Sequence, residues 1–216
     1  PGLNYRVHLY DEAYKAFPQG MILGSETAST VSSRGIYKFP VVAAKMKEYD
    51  DFQSSSYDLE VCSWSNIPDE DFVLQDDKPW VIGEFVWTGF DYLGEPTPYD
   101  TKWPSRSSYF GINDLAGLPK DRYYLYRSRW NIKEETLHML PHWNWKGREG
   151  EVTPVFVYTS YNSAELFVNG KSMGIQKKNN SSPTNRYRLM WMDVKYEPGT
   201  IKVVAFDDEG KVVAEQ

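Results

Sequence analysis

The sequence predicts an α/β region followed by an all-β region. Over residues 1–130, short apolar strands alternate with segments of helical periodicity, which is typical of a parallel sheet with crossover helices. From residue 131 onward, short strands follow one another with turn residues between them and no helical period. With 41% hydrophobic and 16% aromatic residues in a chain of 216, both regions can bury a core.

Three strand–helix pairs are predicted in the first region. The strands cover residues 2–7, 21–25 and 80–87, and the helices cover residues 8–17, 69–74 and 119–130, with a further short helix at 41–49. Pro68 and Pro119 stand where a first helical turn tolerates proline. A closed eight-stranded barrel takes about 250 residues, so three pairs indicate part of a larger fold.

The second region reads as a β-sandwich. Strands are predicted in "LHMLPHW", "EVTPVFVYT", "SAELFVNGKSMG", "YRLMWMDV" and "TIKVVAF", and Asn169-Gly170 predicts a two-residue hairpin turn. Residues 177–185 are polar and predict a flexible surface loop. Roughly seven strands in about 80 residues fit an immunoglobulin-like sandwich, although the Cys-Trp-Cys hallmark of antibody domains is absent.

Composition excludes several classes of function. A net charge of −6 without a basic face argues against nucleic-acid binding. The sequence contains no run of about 18 apolar residues, so no membrane span is predicted. The single cysteine, Cys62, cannot form a disulfide within the chain and is expected to be buried. The three histidines lack metal-ligand spacing, so neither a metal nor a cofactor is expected. Eight Trp and sixteen Tyr favour a carbohydrate-binding surface, with core packing as the alternative.

Polar and aromatic side chains cluster where the predicted parallel strands end. Asn4 and Tyr5 follow the first strand, Glu26 the second, and Trp87 with Asp91 the third, and ligands of parallel α/β folds bind at this edge. Glycoside hydrolysis needs a carboxylate nucleophile or base and a carboxylic acid on either side of the bond. Three alternatives stay open: Glu26 as a solvated loop residue, Trp87 as a core residue, and Arg6 in place of Tyr5 beside the carboxylate.

Several long segments carry a resemblance to a known family. "GLNYRVHLYDEAYKAFP", "ILGSETASTVSSRGIYKFP", "SSYDLEVCSW", "GEFVWTGFDYLGEPTPY" and "FGINDLAGLPKDRYYLYRSRW" resemble glycoside hydrolase family 2, of the β-galactosidase type found in gut bacteria. The resemblance implies that residues 1–130 are the C-terminal half of a (β/α)8 (TIM) barrel and residues 131–216 the β-sandwich that follows it. It also implies roles for six residues: Glu26 as nucleophile, Tyr5 as its hydrogen-bond donor, Trp87 in the sugar subsite, and Asn4, Asp91 and Arg34 as further substrate-binding residues.

Two departures from the family pattern bear on function. The family's acid/base is a Glu preceded by Asn, and no Asn-Glu pair occurs here, so this residue is expected in a preceding part of the same enzyme. In the β-glucuronidase branch of the family, an Asn-x-Lys motif binds the sugar carboxylate. The corresponding residues here are Ser108-Tyr109-Phe110. The expected substrate is therefore a neutral β-glycoside, with oligomerisation left open. The alternatives are another neutral-sugar family member, such as a β-mannosidase, and a non-catalytic carbohydrate-binding or assembly module.

Overall fold

The computed structural model describes residues 2–104 and 107–216, which divide into two units. The first unit contains the chain up to Ile36 and Val42–Lys120, and the second contains Tyr37–Val41 and Asp121–Gln216. The predicted domain boundary between residues 130 and 131 remains a prediction. None of the helices in the described residues has the length and hydropathy of a membrane-spanning helix.

The first unit is built around a three-stranded parallel sheet, and a parallel sheet is what the sequence predicts. In chain order the elements of this unit are β1 (Gly2–Asn4), α1 (Tyr10–Ala16), β2 (Ile22–Thr27), β3 (Ala44–Lys45), β4 (Glu60–Val61), α2 (Pro68–Asp77) and β5 (Val81–Val86). The strand order in the sheet is β1-β2-β5. A second, very short parallel pair joins β3 and β4.

Three local predictions in this unit differ from the structure. The strand predicted at residues 2–7 ends at Asn4, and Val7–Leu9 form one turn of 3-10 helix. The predicted helix at residues 41–49 is wrong, because Ala44 and Lys45 pair with Glu60 and Val61 in a parallel ladder instead. Strand β2 continues to Thr27, so Glu26 lies inside the strand instead of just after it. The helix predicted to begin near Pro68 does so, with the proline in its first turn.

Helix α1 covers the beginning of the parallel sheet. Tyr10 and Ala13 on α1 pack against Ile22 of β2 and Val81 of β5, and all four are buried. A second apolar cluster joins Val31, Cys62, Tyr99, Tyr109 and Phe110, and Cys62 is fully buried as expected. The first of these clusters joins β2, the central strand, to α1 and β5.

The second unit contains seven strands in two antiparallel sheets. In chain order the elements of this unit are α3 (Asp121–Trp130), β6 (Leu137–Leu140), β7 (Val155–Thr159), β8 (Ser163–Val168), β9 (Lys171–Lys177), α4 (Pro183–Tyr187), β10 (Arg188–Trp191), β11 (Ile201–Phe206) and β12 (Val212–Glu215). The strand orders of the two sheets are β10-β7-β6 and β12-β11-β8-β9. The core of the unit is made of side chains from both sheets, including Val155, Leu166, Leu189 and Val203. Helix α3 packs on β6 and β7.

In this unit the predicted hairpin turn is confirmed, and the predicted flexible loop is wrong. Asn169 and Gly170 both have positive φ, 51° and 77°, and join β8 to β9 as a tight hairpin. The segment predicted as a flexible loop at residues 177–185 instead contains the start of α4. The Ser182 hydroxyl caps this helix by accepting a hydrogen bond from the Asn185 amide at 3.1 Å.

Candidate active site

The carboxyl ends of the three parallel strands bring four of the predicted residues to one edge of the sheet. Asn4 pairs with Glu26 across β1 and β2. Beyond the strand ends the ladder continues, since the Tyr5 amide donates to the Glu26 carbonyl at 2.9 Å and the Trp87 amide to the Thr27 carbonyl at 3.0 Å. Asn4, Tyr5, Glu26 and Trp87 therefore share the edge at which parallel α/β folds bind ligands.

Glu26 and Tyr5 form a side-chain pair at this edge. The Tyr5 hydroxyl donates to Glu26 Oε2 at 3.3 Å and accepts a hydrogen bond from the Ser29 hydroxyl at 2.7 Å. Tyr5 has a φ of 51°, a left-handed conformation that is uncommon for a non-glycine residue and concentrates at functional sites. The neighbouring Arg6 instead donates to the Tyr5 carbonyl at 3.1 Å. Of the two candidates, Tyr5 is thus the residue that contacts Glu26.

The electrostatic surroundings keep the Tyr5 hydroxyl protonated. Burial raises the pKa of Tyr5 well above its ordinary value, and the Glu26 carboxylate raises it further, while the Ser29 hydrogen bond opposes the shift. A phenol with a raised pKa retains its proton at neutral pH and can serve as a hydrogen-bond donor. Tyr5 can therefore hold one oxygen of the Glu26 carboxyl group in a fixed orientation.

Asn4 lies beside this pair through a local irregularity in β2. The register shifts between Leu3 and Asn4, so that Leu3 pairs with Gly24 and Asn4 with Glu26. Ser25 is left out of this pairing, and its hydroxyl donates to Asn4 Oδ1. Such bulges redirect side chains and are frequent next to active sites. The Asn4 side chain is exposed and lies next to the strand position of Glu26.

Trp87 packs against an apolar cluster and also lies at the edge of the parallel sheet. Its indole is half-buried and packs on the cluster containing Val31 and Phe110. Its Nε1 donates to the Tyr92 hydroxyl at 3.1 Å, and the two rings meet edge-on at 5.9 Å. Burial and a hydrogen bond to Glu95 raise the pKa of Tyr92 to about 12. Packing thus holds the indole in one orientation.

Asp91 is enclosed by protein groups. Its Oδ2 lies 2.6 Å from Lys120 Nζ, and its Oδ1 accepts from the Gly111 amide at 2.7 Å. The side chains of Lys120 and Asp91 are 1% and 8% exposed. Lys120 also donates to the carbonyls of Ser32 and Tyr109, at 2.8 and 3.2 Å. Nothing in the sequence pattern distinguishes Lys120, since a lysine between a proline and a helix usually lies at the surface.

Arg34 lines a cavity that contains neither Glu26 nor Tyr5. Its Nε donates to Asp114 Oδ2 at 2.6 Å. Although burial opposes the shift, this bond and the amides of Leu118 and Ala116 hold the pKa of Asp114 below its ordinary value. The cavity has a volume of about 440 Å³, and its polar lining includes Ser32, Ser33, Arg34, Asp91, Ser108 and Asp114. The six predicted residues thus form two groups, one at the sheet edge and one at this cavity.

Residues 2–104 and 107–216 contain no set of side chains suited to bind a metal ion. No group of three or more His, Cys, Asp or Glu side chains there is arranged to hold a metal ion. His138 instead contacts Asp121, with His138 Nε2 2.7 Å from Asp121 Oδ1.

The chain matches known proteins along its whole length. A β-galactosidase from Bacteroides ovatus is 43% identical over an alignment that covers 100% of this chain and 25% of that protein. A β-glucuronidase from Bacteroides fragilis is 31% identical over 60% of this chain and 18% of its own length. Residues 150–214 match a domain family of unknown function, DUF4982. The chain therefore spans about a quarter or less of these curated relatives.

Solved structures share the fold. A β-glycosidase from Bacteroides vulgatus superposes with a TM-score of 0.77 at 30% identity, covering 95% of this chain and 28% of that one. A glycosyl hydrolase family 2 member from Bacteroides cellulosilyticus superposes with a TM-score of 0.69 at 24% identity, covering 100% of this chain and 27% of that one.

Proposed function

We propose that this chain, a member of glycoside hydrolase family 2, carries the catalytic nucleophile of a retaining exo-β-galactosidase. The observation that carries the proposal is the Glu26–Tyr5 pair at the carboxyl end of the central parallel strand. A nucleophilic carboxylate has to be held in one orientation, and a strand terminus with a neutral phenol donor provides this.

The larger fold is part of the proposal. We assign the β1-β2-β5 sheet to the C-terminal part of a (β/α)8 barrel and the two sheets of the second unit to an immunoglobulin-like domain. The barrel assignment is supported by the all-parallel strand order and by two large apolar side chains on β5, Ile82 and Phe85, which are 58% and 65% exposed. In a closed barrel, further strands would cover apolar surface of this kind.

The reaction proceeds in two displacements. In the first, a Glu26 oxygen attacks the anomeric carbon, and an acid/base carboxyl group outside this chain protonates the leaving oxygen as the glycosidic bond breaks. In the second, the same group takes a proton from water, which attacks the anomeric carbon and releases Glu26. Retention of configuration requires the two carboxyl groups to lie about 5–5.5 Å apart.

The remaining edge residues supply substrate contacts. Trp87 offers an apolar ring face to the sugar, and Asn4 offers an amide to a hydroxyl. Arg34 would bind from the separate cavity, through the part of its guanidinium that extends beyond the Asp114 contact. Asp91 would act through the loop that its ion pair with Lys120 fixes in place. Substrate contacts by Trp87, Asn4 and Arg34, and an indirect role for Asp91, follow from the family resemblance and from this geometry.

The sugar is proposed to be galactose. The Bacteroides ovatus relative, which matches the whole chain, is named a β-galactosidase. The Bacteroides fragilis relative is named a β-glucuronidase, which makes a β-glucuronide the second candidate. The Ser108-Tyr109-Phe110 segment favours the neutral sugar, because none of its three side chains carries a positive charge for a sugar carboxylate.

Covalent labelling tests the nucleophile directly. A polypeptide that includes this chain and the acid/base carboxyl is incubated with a 2-deoxy-2-fluoro β-galactoside, and the labelled peptide is identified by mass spectrometry. We expect the label on Glu26, and Glu26→Gln should lose turnover by several orders of magnitude while Glu12→Gln, on the exposed face of α1, keeps it. A label on another carboxylate refutes the assignment, and a protein without turnover on any glycoside supports the binding-module alternative.

A further inference from the structure

The residue after Glu26 is tied to the neighbouring strand by a side-chain hydrogen bond. Thr27 is 1% exposed, and its hydroxyl donates to Glu84 Oε2 at 2.5 Å. The other oxygen of Glu84 accepts from Gln75 Nε2 at 2.9 Å. A single carboxylate therefore joins three elements: β2 through Thr27, its own strand β5, and helix α2 through Gln75.

The backbone on both sides of the Glu26–Thr27 peptide is also held. The Glu26 carbonyl accepts from the Tyr5 amide and the Thr27 carbonyl from the Trp87 amide. Side chains of consecutive strand residues point to opposite faces of the sheet, so the Thr27 side chain lies on the face opposite to Glu26. From that face it fixes the backbone of β2 to Glu84. Rotation of this peptide would swing the Glu26 side chain, and the Thr27–Glu84 bond opposes that rotation.

Close packing gives the Thr27 side chain a single orientation. A Cβ added to Gly24 would lie 2.6 Å from Thr27 Cγ2 and 2.8 Å from the Tyr10 hydroxyl, which is closer than atoms can approach. The methyl group of Thr27 therefore occupies the space that the missing Gly24 side chain leaves. With the methyl group fixed in this way, the hydroxyl faces Glu84.

We propose that Thr27 and Glu84 are positioning residues for Glu26, acting through the backbone of β2 and without contact with the substrate. The inference rests on the proposed function, since it concerns the same nucleophile. Productive geometry in an active site has to be held within about 0.5 Å, and a displacement of about 1 Å can cost a hundredfold in rate. Loss of the Thr27 hydroxyl should therefore lower kcat and leave substrate affinity almost unchanged.

The test uses matched substitutions in the polypeptide that contains the complete site. Thr27→Val keeps the shape of the side chain and removes the hydroxyl, whereas Thr27→Ser keeps the hydroxyl. Thr97→Val is the control, because the Thr97 hydroxyl donates to Asp100 at 2.9 Å in a loop of the same unit. Active-site titration with the 2-deoxy-2-fluoro galactoside gives the folded, competent fraction of each variant, so that kcat is expressed per competent site.

We expect Thr27→Val to lower kcat by about tenfold to a hundredfold with KM within about twofold of the parent value. Thr27→Ser should recover most of the loss, Thr97→Val should match the parent, and Glu84→Leu should reproduce Thr27→Val. Parental kcat in Thr27→Val, or equal losses in Thr27→Val and Thr27→Ser, overturns the positioning role. Failure of the proposed function is distinct, because then Glu26→Gln itself would retain turnover.

Discussion

The Tyr5 hydroxyl stands between Glu26 and Ser29, donating to the Glu26 carboxylate at 3.3 Å and accepting from Ser29 at 2.7 Å. The two hydrogen bonds run from Ser29 to Tyr5 and from Tyr5 to Glu26, because a carboxylate can only accept hydrogen bonds. Ser29 therefore orients the phenol, and the phenol orients the carboxylate. The pair belongs to a sheet edge that Thr27 and Glu84 support from the other face.

Removing this phenol hydroxyl should reduce the rate of catalysis. A hydrogen bond to a charged group contributes about 1.5–3 kcal/mol, and each 1.4 kcal/mol is tenfold in rate, so Tyr5→Phe should lower kcat by about tenfold to a hundredfold. The measurement is steady-state hydrolysis of an aryl β-galactoside. Tyr49→Phe is the control, since it removes another hydroxyl that donates to a glutamate, Glu60, at 2.5 Å in the same unit. Equal activity of the two variants would contradict the role given to Tyr5.

The Asp91–Lys120 ion pair should matter for stability. Removing one partner of a buried pair leaves an uncompensated charge and costs about 3–5 kcal/mol, so Lys120→Met should lower the free energy of unfolding by about that amount. Lys102→Met is the matched control, because Lys102 and Glu48 are 3.5 Å apart with side chains 44% and 45% exposed, and it should cost about 1 kcal/mol or less.

Urea denaturation followed by tryptophan fluorescence measures both variants. Adding Asp91→Asn to Lys120→Met should recover part of the loss, because the second substitution removes the stranded charge. A loss for Lys120→Met no larger than that for Lys102→Met would show that the buried pair does not hold the loop around Asp91.

The arrangement at the sheet edge could be predicted because it follows from chain order. Parallel strands place their carboxyl ends at one edge, so a Glu at the end of an apolar run is expected to meet the aromatic residues that follow the neighbouring strands. The strand and turn signals were also local: Asn169-Gly170 defines its hairpin without reference to the rest of the chain.

The contacts that were missed depend on distant residues. Thr27 and Glu84 are 57 positions apart, and Lys120 reaches Asp91 across a loop, so no periodicity connects them. The wrong helix at residues 41–49 has the same cause, since pairing with Glu60 and Val61 outweighs the local helical pattern. Helix α4 could not be predicted from composition, because Ser182 and Pro183 are common both in loops and at the start of a helix.

Gly170 is required by the backbone of its turn. Its φ of 77° lies in the left-handed region, where a side chain costs about 1–2 kcal/mol, so Gly170→Ala should destabilise the second unit by about that amount. Nothing lies within 4 Å of the added Cβ, so steric contact makes no contribution. Thermal unfolding measures the effect, and Gly170→Asn should be milder because Asn tolerates this conformation. Equal losses for Ala and Asn would contradict a purely conformational cause.

Asp71 on α2 should make stability depend on pH. Its side chain is buried, its Oδ1 has no hydrogen-bond partner, and its Oδ2 accepts from Asn66 at 2.7 Å. Burial, and next the Glu84 carboxylate, raise the pKa of Asp71 well above its ordinary value. The folded state therefore holds a proton that the unfolded state releases above about pH 4. The stability that this proton contributes is present below that pH and declines as the pH rises toward the folded-state pKa.

Asp71→Asn should remove this dependence, because the amide is neutral at every pH and can still accept from Asn66. We expect the variant to be more stable than the parent at pH 8, with the difference shrinking toward pH 4. Melting temperatures across this range measure it, and Asp76→Asn, at an exposed position of the same helix, should change stability by no more than about 0.5 kcal/mol at either pH. A constant difference between Asp71→Asn and the parent from pH 4 to pH 8 would mean that Asp71 titrates alike in the folded and unfolded states. In that case the Glu84 carboxylate, which accepts from Thr27, would have no effect on the proton of Asp71.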